Sequence, residues 1–97
     1  MEVKIYDFTG YNNHIEFCMN NDGWNDYEAF IKYKIKYDKN YDTFDLNIIH
    51  IDATLINHFE ETRMKVEISK EEKELIEQAL LEKVDWHEYF EHQFDWQ

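Results

Sequence analysis

His50 and Asp52 stand two residues apart in an apolar run. On a strand they share a face, about 6.6 Å apart. An imidazole and a carboxylate placed this way could supply part of a metal site. On a helix, His87 with Glu91 and Glu88 with His92 are i,i+4 pairs that meet on one side. His87 and His92 do not meet, because five residues turn them about 140° apart. Neither an HExxH motif nor a Cys/His ligand set accompanies them. The helix pairs therefore read as surface hydrogen bonds or ion pairs, and the expectation is no metal and no cofactor.

Asp38-Lys39-Asn40-Tyr41-Asp42 opens like a calcium loop. It then fails, with Thr43 where the loop needs Gly and Ile49 where it needs a bidentate Glu. A polar hairpin turn is the better reading. Cys18 and His14 suggest a nucleophile and its base, but four strand residues separate them by roughly 13 Å. Cys18 reads instead as a buried structural residue. Lys32, Lys34 and Lys36 form a basic stripe near Tyr33 and Tyr37. Basic residues interleaved with aromatics can hold single-stranded nucleic acid, but these tyrosines fall on the opposite face of the strand. The stripe reads as a solvated face whose lysines also guard an edge from aggregation.

The acidic residues near the C-terminus are the remaining candidates. On an ideal helix at about 100° per residue, Trp86, Tyr89, Phe90, Phe94 and Trp96 fall on one half of the wheel. Asp85, Glu88, Glu91 and Asp95 fall on the other, with no Lys or Arg between them. Glu71, Glu74, Glu77 and Glu82 extend the charge toward the N-terminus. The aromatic side is suited to packing and the acidic side to a basic partner. The expected partner-binding residues are Glu77, Glu82, Asp85, Glu88, Glu91 and Asp95.

These side chains need elements to position them. Val3–Phe8 is a short β-rich run, and Thr9–Asn13 is a turn cluster. His14–Met19 alternates, with Ile15, Phe17 and Met19 on one face and His14, Glu16 and Cys18 on the other. Asn20-Asn21-Asp22-Gly23 is the next turn. Tyr27, Ala29, Ile31, Tyr33, Ile35 and Tyr37 recur with a period of two, which predicts a strand over 27–37 longer than any other. Phe44, Leu46, Ile48 and His50 form its partner. The Ile48-Ile49 doublet breaks the alternation and predicts a bulge or a change of phase. Residues 52–61 carry no clear pattern. Arg63–Ile68 reads as a last short strand, with Met64, Val66 and Ile68 on one face.

Ser69-Lys70-Glu71-Glu72 matches a capping box. Leu75, Ile76, Ala79 and Leu80 form the apolar stripe of the helix it opens. The stripe loses phase before the aromatic tail, so the helix bends or breaks near Val84. The expected fold is α+β: an antiparallel sheet of four or five strands over residues 1–68, then helix over 69–97, in a single domain spanning 1–97.

Composition limits what such a domain can do. Ten basic and 22 acidic residues leave a net charge of −12. The excess concentrates in residues 60–97, where five basic residues face twelve acidic ones. This argues against direct nucleic-acid binding and against an anionic membrane surface, both of which need clustered Lys and Arg. A basic protein surface is the natural counterpart. Aromatic residues at 18% provide for a core. A lone cysteine suits a reducing compartment, and no apolar run approaches the ~20 residues of a membrane span. Abundant Asn, Ile, Lys and Tyr, with one Arg and no Pro, suggest a low-GC bacterium or its phage. The expectation is thus a cytoplasmic, non-enzymatic acidic protein that binds and inhibits a basic, nucleic-acid-handling protein. In class it is similar to anti-defence proteins that imitate nucleic acid and to nuclease immunity proteins. The alternatives are an interaction subunit that homodimerises, and a small metal-dependent enzyme.

Overall fold

The computed structural model describes residues 2–9, 13–20 and 23–89. They form an α+β domain with the sheet first and the helix after it. The strands are β1 (Val3–Thr9), β2 (His14–Met19), β3 (Asn25–Asp38), β4 (Thr43–Asn57) and β5 (Thr62–Val66), followed by α1 (Lys70–Lys83). Each strand pairs antiparallel with the next, so the sheet is a simple meander in the order β1-β2-β3-β4-β5.

Turn chemistry fixes the registers. Asn13, Asn20, Asp42 and Glu61 all take positive φ. Asn and Asp tolerate that region better than most residues. Between β3 and β4 the Asp38 carboxylate accepts the Asn40 N–H at 2.9 Å. Between β4 and β5 the Asn57 side chain accepts the Glu60 N–H at 2.7 Å. Both are local side-chain hydrogen bonds that replace a turn bond.

The strand predicted over 27–37 is confirmed and extends to both sides, but β4, at 15 residues, is one longer than β3. The cause is the Ile48-Ile49 doublet. Lys32 pairs with His50 and Tyr33 with Ile48, which leaves Ile49 as an extra residue. This bulge resets the phase, and Ile51, Ala53 and Leu55 then alternate inward through the stretch that had shown no clear pattern. It also moves His50 off the Leu46–Ile48 face to an exposed position opposite Lys32. Met64 and Val66 share the inner face, opposite Leu55 and Ala53, but Met64 is exposed at the sheet edge, and β5 ends at Val66, short of Ile68.

One face of the sheet carries the core. Ile15, Ala29 and Ala53 lie in one cross-strand row, with Phe17 in the next and Ile31, Leu46 and Ile48 further along. Helix α1 lies on this face against β1 and β4, burying Ile76 and Leu80 completely. Leu75 and Ala79 flank them, as the stripe predicted.

Ser69 caps α1 by accepting the Glu72 N–H at 3.1 Å, and Glu72 returns the bond to the Ser69 N–H at 3.0 Å. Such a cap stabilises a helix by about 0.5–2 kcal/mol. The helix breaks where its apolar phase fails. Val84 is extended (φ −95, ψ 135). Asp85 then opens a new helical turn, its carboxylate accepting the Glu88 N–H at 3.2 Å. This rotation drives Trp86 into the core, 3% exposed. Its indole N–H donates to the Leu80 carbonyl at 3.2 Å, a second bond to an oxygen that also accepts the Val84 N–H at 3.1 Å.

Candidate functional site

The carboxylates expected to bind a partner occupy three different situations. Glu82, Asp85 and Glu88 are exposed. With Glu71 and Glu74, also exposed, they run along the solvent side of α1 and the turn after it. Glu71, Glu74, Gln78 and Glu82 are spaced three or four apart, which places them in one row opposite Ile76 and Leu80. Asp85 adds the capping bond to its negative charge. Glu77 turns inward: its carboxylate accepts the Ile48 N–H. Glu91 and Asp95 lie outside the described residues, as do Phe90, Phe94, Trp96 and the i,i+4 partner His92.

The acidic row is held on a firm base. Trp86 meets Phe8 at 5.6 Å and Tyr33 at 6.1 Å between ring centroids. The Tyr33 and Tyr89 hydroxyls share a hydrogen bond of 3.0 Å. Burial, then that bond, pushes the Tyr33 phenol well above its ordinary value. His87 lies edge-on to Tyr37 and Phe44 and reaches the Asp42 carboxylate at 3.1 Å. The segment after α1 is thereby clamped onto the β3–β4 hairpin, so exposed Glu82, Asp85 and Glu88 are presented by ordered backbone.

The outer face of the sheet gathers a second set of polar groups. Glu28 accepts Arg63 at 2.7 Å and His14 at 3.0 Å. Arg63 first, then His14, holds the Glu28 carboxyl below its ordinary value. His58 meets Asp26 at 2.6 Å, and Lys65 meets Asp52 at 2.9 Å. Tyr6, Glu16, Asp26, Glu28, Ile56 and His58 border a cavity of about 150 Å³. Beside it Tyr6 hydrogen-bonds Cys18, and this bond is the main cause that pushes the Tyr6 phenol up to about 12. The pairs His14–Glu28 and His58–Asp26 were not read from the sequence, since 14 and 32 residues separate their members. Only strand register brings them together.

The candidate chemistries fare differently. His50 and Asp52 do share the outer face, but Asp52 is engaged by Lys65. Among the described residues no group of three or more His, Cys, Asp or Glu side chains is arranged to hold a metal ion. The Asp38–Asp42 stretch is a hairpin turn, with Asp42 accepting the Tyr37 hydroxyl at 2.7 Å. Cys18 is buried, 1% exposed, although it sits on the outer face. The β1 register shift between Ile5 and Asp7 puts Tyr6 against it. The side chains of Lys32, Lys34 and Lys36 are exposed on that same face.

No helix among the described residues is long and apolar enough to cross a membrane. Compared with protein-family models, with curated proteins and with solved structures, the chain matches none of them.

Proposed function

We propose that this chain is a small acidic, non-enzymatic binding protein of the bacterial cytoplasm. It occupies a basic, nucleic-acid-handling surface on a partner protein and blocks it. The observation that carries this reading is the set of exposed carboxylates Glu71, Glu74 and Glu82 on α1 and Asp85 and Glu88 in the turn after it. Among the described residues, Glu71, Glu74 and Glu82 make no ion pair with Lys or Arg. Two cations of the outer sheet face, Arg63 and Lys65, are engaged by sheet carboxylates instead. Spaced carboxylates on a rigid helix offer a cluster of Lys and Arg the charge pattern of a phosphate backbone.

The test is affinity capture with the wild-type chain and with Glu74→Lys/Glu82→Lys/Glu88→Lys. A nucleic-acid-binding protein held by wild type, released by salt and lost with the triple variant supports the reading. Identical capture by both chains contradicts it.

A second reading, an interaction subunit acting through homodimerisation, is favoured by one observation. Trp24 and Phe59 form an edge-to-face pair, centroids 5.3 Å apart, while 60% and 74% exposed. Exposed aromatic anchors of this kind are enriched at interfaces. Light scattering of wild type against Trp24→Ala separates this reading from the first.

A further inference from the structure

We propose that the edge of β3 from Tyr33 to Tyr37 docks an extended strand of another protein whose side chains alternate between carboxylates and apolar groups. This edge uses backbone groups of β3 and not the carboxylates of the helical part, although the segment after α1 packs on the inner side of Tyr33 and Tyr37. Two hydrogen bonds fix which way the β3 backbone points. The Ile31 N–H donates to the Asn13 carbonyl at 2.9 Å, on the β2 side. The Ile48 N–H donates to Glu77, away from β3, so its cross-strand partner Tyr33 also aims away from β4. The odd-numbered residues Tyr33, Ile35 and Tyr37 therefore present their N–H and C=O groups to the β2 side.

Strand β2 pairs with β3 only as far as Phe30. Beyond the Ile31 bond, no described residue gives this edge a backbone partner. Such an edge is a template for one more strand.

The side chains state what that strand must carry. Lys32, Lys34 and Lys36 are exposed on the outer face, and none of them ion-pairs with a described carboxylate. Tyr33, Ile35 and Tyr37 alternate with them on the inner face. Opposite charges across neighbouring strands attract, and like charges directly opposite destabilise. A second copy of this chain pairing edge to edge would set lysines against lysines. A strand with Glu or Asp outward and apolar residues inward satisfies both faces at once.

The experiment titrates ¹⁵N-labelled full-length protein with a short synthetic peptide alternating Glu with Val. The comparison ligands are its Lys–Val counterpart, the Glu–Val peptide N-methylated along the pairing edge, and oligothymidine. Saturable binding of the Glu–Val peptide is expected, with slowed amide exchange at Ile35 and Tyr37. Lys34 and Lys36 amides, already bonded to β4, should not change. Lys34→Glu/Lys36→Glu should weaken binding about tenfold, and N-methylation should abolish it without altering the protein. Four results would each overturn the proposal. These are no peptide binding, equal binding of the Lys–Val peptide, oligothymidine binding at the lysines with edge amides unaffected, and a dimer whose edge amides are protected without peptide.

Discussion

The Glu77 carboxylate accepts the backbone N–H of Ile48, the residue beside the β4 bulge. This bond ties the middle of α1 to a strand N–H that points away from β3. Ile48 is fully buried, so without Glu77 that donor would face neither water nor a strand.

Replacing Glu77 with Ala should therefore lower stability by about 1–3 kcal/mol, the cost of leaving a buried donor unsatisfied. Glu77→Gln keeps an acceptor oxygen and should lose less. Urea unfolding of the two variants checks the order. Equal stability of Ala and wild type would remove the bond from the account.

Trp86→Ala should cost about 3–5 kcal/mol, because the ring is nearly fully buried against Phe8 and Tyr33. Trp86→Phe should recover part of this but leaves the Leu80 carbonyl without the indole donor. Thermal or urea unfolding measures both.

Glu28 supplies an acid-sensitive contribution. Its folded pKa is depressed below the ordinary value of 4.5, chiefly by Arg63 and then by His14. The stabilisation is therefore present above 4.5 and is lost as pH falls through the depressed value. Arg63 is 62% exposed, so solvent screens the pair and the contribution is small. An NMR titration should show the Glu28 pKa rising in Arg63→Ala, with a weaker loss of stability on acidification.

Cys18 should resist a thiol reagent such as Ellman's in the native protein and react fully once unfolded, because it is buried. Fast native labelling would show that β1 opens from β2 readily. Cys18→Ala should also bring the Tyr6 phenol down from about 12, since their hydrogen bond is the main cause of its rise.

Much of the scaffold was legible in local pattern. The period-two run over 27–37, the Ser69–Glu72 box and the apolar stripe at Ile76 and Leu80 each depend on neighbours a few residues away. The Ile48-Ile49 doublet marks the bulge but not its consequence, a phase reset that carries β4 on to Asn57. Glu77 looked like one more helix carboxylate because its partner Ile48 is 29 residues away. The His14–Glu28 and His58–Asp26 pairs were hidden for the same reason. Cys18 reads as buried from its residue type, but its outward phase carries no sign that Tyr6 covers it. Among the expected binding residues, Glu82, Asp85 and Glu88 followed the helical wheel outward, while Asp85 also took a capping role that the break at Val84 creates.

In the proposed function the exposed carboxylates of the helical part carry partner binding. The most direct measurement is the association rate of the captured partner with wild type and with Glu74→Lys/Glu82→Lys/Glu88→Lys, across a salt series. Circular dichroism verifies that both chains are folded. The expected result is a wild-type rate that falls steeply as salt rises, and a slower, less salt-dependent rate for the variant. Equal rates and equal salt dependence for the two folded chains would contradict it.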